Sequence, residues 1–530
     1  MLCRSSVLYK GIVRRSLVSR RVNSSAHNQH IKEAILLATE YPSDFTLQYP
    51  PRREYYKELY RTPGEPKYLH QVIGDSTILN NKVHYPLTDY DKKLLLYCHI
   101  PFCEHKCFYC NFAVDTRTNQ NQLHDLYVSH MIEGLKRIQC TLFDKNNGLE
   151  MSGIDIGGGT PTILEARTLS RFLEALRPIR DACTHPNPLS IETTPAIASK
   201  HMDRLYALKE GGVDRVSMGM QSTDDDLLTQ MNRGKEATLS SQAVKNIQQV
   251  GFKRFSVDVI FGLPNQMMKH WRNDLQRVVD LGIDIVTTYD CLYRGKGRAM
   301  TKKSSIPSPE AYGEFYDYGY QFLTSHGFKA PYGSVNFSRH EGETGTSAYF
   351  EGRLLDGLQF LGLGNYASSV YAEKWWFAPY SVDQWQQDIS DFPEGLPNDD
   401  VHQLSEYFPL GDCYTLPLAE RAAKYILLSL SFGIIDPARF YHIFSMNIHE
   451  VYHESLQFAV AQNFIWLDDS SDCYYIVPGQ FKNMPKLRAL FYSHNAIKWL
   501  QNVRDNPRDQ FKHRLQAAKA KQENRMARAC

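Results

Sequence analysis

From Leu94 to Tyr289 the sequence alternates short apolar runs with segments of helical spacing, and this alternation restricts the possible folds more than any other feature. The β-prone runs fall at 94–99, 153–156, 189–192, 215–218, 255–261 and 285–289. Between them, 122–138, 166–176, 199–210, 238–250 and 266–281 have helical length and a 3.6-residue apolar period. Strand alternating with helix predicts a parallel sheet of right-handed βαβ units, either open or closed into a full or partial barrel. Functional residues in such folds collect where strands end and loops begin.

The flanking regions read differently. Residues 1–30 carry Arg and Ser and no acid, without an uninterrupted apolar core, which predicts a mitochondrial transit peptide. Residues 31–90 show Pro-rich punctuation and predict an extended wrap over a later domain. The core is expected over 91–330, followed at 331–410 by an irregular substrate-side region with glycine-based turns in Leu361-Gly362-Leu363-Gly364. Helices followed by short strands at 411–505 predict a mostly helical, winged-helix-like domain. Residues 506–530 form a basic tail.

Composition excludes several classes. Lys and Arg number 60 against 58 acids, and five Arg and two Lys lie in the first 32 residues, so the remainder is net acidic. That leaves no overall basic field for nucleic acid, and no apolar run is long enough to predict a transmembrane segment. The eleven Cys are odd in number and mostly scattered, a poor disulfide framework.

Three of those cysteines crowd together in Cys103-Glu104-His105-Lys106-Cys107-Phe108-Tyr109-Cys110, directly after the first predicted strand. Thiolates at that spacing converge on one metal centre. Zinc, with His99 or His105 as fourth ligand, and a 4Fe-4S cluster with one open iron both satisfy the spacing. Gly157-Gly158-Gly159-Thr160-Pro161 follows the second strand, where glycines admit close backbone approach to a ligand, with N–H groups the expected contact. Glu192 ends the third strand, Gln221 follows the fourth, and Arg233 comes twelve residues later. Asp258 sits inside the apolar fifth strand, where an ionisable group faces a polar cavity or has a partner, and Arg233 is a candidate to pair with it or with a carboxylate ligand.

The segment from Tyr97 to Cys110, with its His99-Ile100-Pro101-Phe102-Cys103 lead-in, resembles the cluster loop of radical S-adenosylmethionine (SAM) enzymes, in the branch of oxygen-independent coproporphyrinogen III oxidases and haem chaperones. The resemblance covers about 90–365 and implies a partial (β/α) barrel. It implies Cys103, Cys107 and Cys110 as ligands of a 4Fe-4S cluster that cleaves SAM reductively to a 5′-deoxyadenosyl radical. Tyr97, Tyr109, Gly158, Gly159, Thr160, Glu192, Gln221, Arg233 and Asp258 are the implied SAM contacts. A tetrapyrrole substrate and a separate electron donor are implied as well. No catalytic residue is assigned by sequence.

Two departures bear on the substrate. The oxidases typically carry one more Cys where this chain has Phe112, and the haem chaperones a His-Asn pair ahead of Tyr-Trp where it reads Gly345-Thr346-Ser347-Ala348-Tyr349-Phe350. Radical SAM chemistry on a tetrapyrrole, haem delivery without turnover, and modification of an unrelated compound are the readings these residues leave.

Overall fold

The computed structural model describes residues 24–45, 49, 53–60, 93–117, 121–143, 150–291, 307–371, 374–390 and 413–505. Strands β1 (Lys93–Ile100), β2 (Glu150–Gly158), β3 (Leu189–Thr193), β4 (Arg215–Gln221), β5 (Arg254–Phe261) and β6 (Ile285–Asp290) pair in chain order, every neighbour parallel. Each of the six predicted strands lies within one of these. The helices between them cover the sheet. Helix Ala166–Asp181, for example, buries Leu169, Phe172, Leu173, Leu176 and Ile179, a 3.6-period stripe. Local signals start several helices, such as Thr194, whose hydroxyl accepts from the Ile197 N–H ahead of Pro195. The stretch predicted as one helix over 199–210 is broken at His201, whose non-helical backbone (φ −121°, ψ 73°) ends Pro195–Lys200 and begins Met202–Glu210.

Five short strands enlarge the sheet. β7 (Asn336–Ser338) runs antiparallel on β6, and β8 (Gln359–Leu363) runs parallel on the free side of β1. β9 (Ser368–Tyr371), β10 (Lys374–Phe377) and β11 (Cys413–Thr415) continue outward from β8 by antiparallel pairing. The outermost strands β11 and β7 are not joined, so the eleven-stranded sheet is a partial barrel.

β8 corrects one expectation. Leu361-Gly362-Leu363 is strand and not turn, because Gly362 makes room for a neighbouring backbone: a Cβ there would lie 2.4 Å from the Ser368 carbonyl oxygen. Only Gly364, at φ +110°, reverses the chain.

The C-terminal region matches its expected pattern. Helices Leu418–Ser429, Pro437–Phe444, Ile448–Val451 and His453–Ala461 lead into β13 (Ile465–Asp468) and β14 (Cys473–Ile476), which form a three-stranded sheet with β12 (Ile434–Ile435). The N-terminal region does not. Its described part forms helices Ser24–Glu40 and Arg53–Leu59 in place of an extended wrap, and the first begins inside the stretch read as presequence. Ile31, Ala34, Leu37 and Ala38 are buried at helical spacing, a period too brief to stand out beside the prolines. The presequence reading for 1–23 and the basic tail at 506–530 lie outside the described residues.

Candidate functional site

The cysteine loop leaves β1 and is held at three places. It closes on itself where the Cys103 N–H donates to the Asp115 carbonyl and the Asp115 N–H to the Pro101 carbonyl, at 3.0 and 2.9 Å. It is tied to the glycine motif, since the N–H groups of Gly159 and Thr160 donate to the carbonyls of Ile100 and Phe102 at 2.7 and 2.8 Å, and Cys103 Sγ shares a 3.4 Å hydrogen bond with the Thr160 hydroxyl. A loop after β4 grips it from the far side. Asn232 Nδ2 donates to the Lys106 carbonyl, the Phe108 N–H donates to the Met231 carbonyl, and Arg233 Nη1 lies 3.8 Å from Cys107 Sγ. Met231 and Asn232 drew no notice in the sequence, where neither residue type carries a signal of its own.

Cys103, Cys107 and Cys110 are close enough for each to feel the charge of the others. Burial pushes the Cys103 thiol up to about 12 and Cys110 upward too. Burial also opposes ionisation at Cys107, but a hydrogen bond with His105 and the Arg233 charge outweigh it and lower that thiol. Among the described residues, no three His, Cys, Asp or Glu side chains are already closed around a metal position. His99 is not free to complete a zinc site: its Nε2 is 3.0 Å from the Ala113 carbonyl oxygen, and burial lowers its pKa to about 4.

The glycine motif acts differently from expectation. The N–H groups of Gly159 and Thr160 are spent on the cysteine loop, and the Gly158 N–H hydrogen-bonds the Glu192 carboxylate. Gly157 faces the barrel interior, where Glu192 and Tyr97 pack directly over its backbone: a Cβ there would lie 2.8 Å from Glu192 Oε1 and 3.0 Å from the Tyr97 hydroxyl. A Cβ on Gly158 would instead strike His99 and the Ile100 carbonyl. Within the motif, Gly157 is the position against Glu192 and Tyr97, and Gly158, Gly159 and Thr160 are the positions against the cysteine loop and its strand.

Gln221, Arg233 and Asp258 meet at Gly219. A Cβ on Gly219 would lie 2.5 Å from Gln221 Nε2 and 3.3 Å from Arg233 Nη2, and Gly219 stands in register with Asp258. Gln221 holds a left-handed backbone, φ 65°, with its buried Oε1 unpartnered. Of the two alternatives for Arg233, the pair with Asp258 is not formed. Arg233 donates to the Gly219 carbonyl at 2.6 Å and to the Tyr109 hydroxyl at 3.3 Å, and pairs with Glu236 at 3.4 Å, because the cysteine loop reaches it first. Asp258 accepts from Ser217 at 3.3 Å.

Deeper in the barrel, alternate residues of β1–β6 face inward: Tyr97, Asp155, Gly157, Ser190, Glu192, Arg215, Ser217, Ser256, Asp258, Thr287 and Tyr289. Burial is the largest cause raising the three acids, to about 6 for Asp155, about 8 for Glu192 and about 6 for Asp258. For Glu192 the neighbouring charges of Asp258 and Asp155 add to it. Arg215 offsets part of this but donates to Ser190 and Ser256 hydroxyls, not to an acid. Tyr289, at the end of β6, is 42 % exposed. Thiols beyond the end of β1, with carboxylate and hydroxyl acceptors along the inward face of the sheet, suit a ligand that carries amino and hydroxyl donors.

A parallel partial barrel with a cysteine triplet after β1 defines the class. Residues 97–278 match the Radical SAM superfamily, and the chain carries that domain. Its similarities lie in the branch of the oxygen-independent coproporphyrinogen III oxidases and haem chaperones. The chain is 28 % identical over 247 residues to the heme chaperone HemW of Bacillus subtilis, a match covering 46 % of this chain and 63 % of the relative. It is 30 % identical over 261 residues to radical S-adenosyl methionine domain-containing protein 1, mitochondrial, of Bos taurus, covering 47 % and 55 %. The chain thus spans about six-tenths of the length of these curated relatives. Coproporphyrinogen III oxidase (HemN) from Escherichia coli shares the fold with a TM-score of 0.60 at 20 % identity, over 81 % of this chain and 96 % of that one.

Proposed function

We propose that the chain is a radical SAM enzyme of this branch acting on a tetrapyrrole, with Cys103, Cys107 and Cys110 as ligands of a 4Fe-4S cluster. The observation that carries this reading is the loop bearing the three thiols, which is clamped from both sides at the end of β1, where the polar inward face of the sheet begins. When bound, the cluster and SAM together supply a one-electron route to a carbon radical. The chain's residues bind, orient and shield. Glu192 and Tyr97, packed over Gly157, receive the donor-bearing part of SAM, Gln221 and Asp258 flank it at Gly219, and Arg233 with Tyr109 anchors the loop beside Cys107.

Haem delivery without turnover is the second reading, favoured by the printed names of relatives such as HemW. Against it stands Ser347, which lies in the stretch where those chaperones carry His and is occupied in a hydrogen bond to Asp155 at 2.8 Å. A mitochondrial location is supported by the basic, acid-free N-terminus and by the Bos taurus relative. Anaerobic reconstitution with iron, sulfide and SAM, followed by mass analysis with coproporphyrinogen and with haem, separates the readings. Deoxyadenosine formation that depends on the porphyrinogen supports the enzyme, and haem transfer without SAM cleavage replaces it with the carrier. Replacing any of the three cysteines by Ala should abolish iron binding, whereas Cys98→Ala, Cys140→Ala and Cys183→Ala should retain it.

A further inference from the structure

The inward face of the sheet continues sideways from β1. Leu95, Phe360, Val370 and Trp375 stand in register across β1, β8, β9 and β10 and so share one face. Two cations lie over its rings, the Arg353 guanidinium 4.5 Å from the Phe360 centroid and Lys424 Nζ 4.1 Å from that of Trp375. Arg353 comes from the π-helical turn Glu351–Leu355, a backbone form concentrated at functional sites. Lys424 comes from helix Leu418–Ser429, which packs on that turn where the Tyr425 hydroxyl donates to the Leu355 carbonyl.

Donors outnumber acceptors here. Among the described residues Arg353 reaches one acceptor, the Tyr349 hydroxyl at 3.5 Å, and its Nε has none. Trp375 Nε1 is buried without a partner as well. Lys424 Nζ, with up to three protons to donate, has one acceptor, the Tyr49 carbonyl at 3.4 Å. The neighbouring acids do not supply the missing charge. Glu420, one turn earlier on the same helix, is taken by tyrosine and serine hydroxyls. Asp155 accepts from Ser347 through Oδ2 and has no donor at Oδ1, so it feels the Arg353 charge without pairing with it. Cations set this deep are paired as a rule. Burial, with the Arg353 charge adding to it, lowers Lys424 to about 7, the direction expected of an amine without a counter-charge. Arg353, Val370 and Lys424 are each partly exposed, so solvent reaches this face.

We propose that Arg353 and Lys424 form a binding site for an oxyanion, a carboxylate or phosphate group, separate from the cysteine loop. The site is level with Leu95 near the start of β1, on the order of 16 Å from the strand end that carries the thiols. An oxyanion there accepts from both cations in a partly dehydrated setting, where charge-assisted hydrogen bonds are short and strong. It would also join the three parts of the chain that build the site, the N-terminal segment at Tyr49, the sheet and the C-terminal helix. The assignment goes beyond the radical SAM reading and needs neither cluster nor SAM.

The test is calorimetric titration of the iron-loaded full chain with inorganic phosphate and, separately, with succinate, at an ionic strength held constant with chloride. At least one of them should bind saturably with a Kd below about 1 mM, and the tighter of the two tells a phosphate ligand from a carboxylate one. Arg353→Gln and Lys424→Gln should each weaken that binding at least tenfold while iron content and SAM affinity stay at wild-type values. At about pH 8 the bound anion should draw a proton onto Lys424, so the binding enthalpy should depend on the ionisation enthalpy of the buffer, and Lys424→Gln should remove that uptake. Binding of neither anion, or binding undiminished in either variant, overturns the assignment. If one variant does not fold, the other decides, and if neither folds, wild-type binding without proton uptake overturns it.

Discussion

Adjacent glycines in the Gly157–Thr160 motif face opposite sides of β2, and their substitutions should separate two functions. Gly157→Val would push a side chain into Glu192 and the Tyr97 hydroxyl and displace them, so SAM binding should fall at least tenfold while iron content is kept. Gly158→Ala combines a φ of +119° with a Cβ 2.9 Å from the Ile100 carbonyl, so it should disturb the cysteine loop and lower iron content first. Iron assay and calorimetry on the two variants check this. Glu192 adds a pH dependence. Burial holds its pKa near 8, so the empty site is protonated below that value, while a donor-bearing ligand needs the carboxylate. SAM affinity should therefore rise from pH 6 to 8, by up to about tenfold per pH unit, and level off above. Glu192→Gln should flatten that profile. The residues picked out in the sequence, Glu192, Gln221, Arg233 and Asp258, lie toward one end of the sheet. The sequence could not assign their partners. Arg233 is drawn to Cys107 and Tyr109 by a loop that begins more than a hundred residues earlier.

The elements around the site are braced by buried acids. Asp274, on helix Met268–Asp280, accepts from the Ser222 hydroxyl and from both the N–H and hydroxyl of Thr223, fixing the turn that holds Gln221 in its left-handed backbone. Asp274→Ala should cost about 3 kcal/mol, measured by urea unfolding, because it leaves buried donors unsatisfied. Burial raises its pKa to about 7, above the ordinary carboxylate value. The folded chain thus keeps a proton that the unfolded chain releases between about pH 4 and 7. This contribution to stability is complete below about pH 4 and is lost as pH rises to 7; Asp155 and Asp258, held near 6, act in the same direction. The thermal midpoint of the ligand-free chain should fall between pH 5 and 8, and Asp274→Asn should reduce the slope. The helices and parallel strands were legible because each carries its own period. β8 was not, since its glycines resemble a turn until β9 is placed against them.

Across the whole molecule, the N-terminal segment is bound to the C-terminal domain through one buried carboxylate. Glu420, 1 % exposed, accepts from the hydroxyls of Tyr49, Tyr55 and Tyr60 at 2.7, 2.7 and 3.0 Å, and from Ser493. Asp44 pairs with Arg504, and Trp499 donates to Glu58. Glu420→Leu strands three tyrosine hydroxyls and should cost about 3 kcal/mol or more. Limited proteolysis should then cut within 24–60 before the barrel is attacked, and a variant as protease-resistant as wild type would remove Glu420 from this role. The sequence by itself determined the parallel core, the cysteine loop, the winged-helix-like module and the residue types at the strand ends, because periodicity, caps and motif spacing are local along the chain. The tertiary structure alone decided that Glu192 and Tyr97 pack over Gly157, that Asp155 keeps one oxygen free, that Arg233 serves the cysteine loop, and that three tyrosines of the N-terminal segment share one glutamate. Each of these depends on groups far apart in sequence competing for the same partner, and that competition is settled only when strands and helices are packed together.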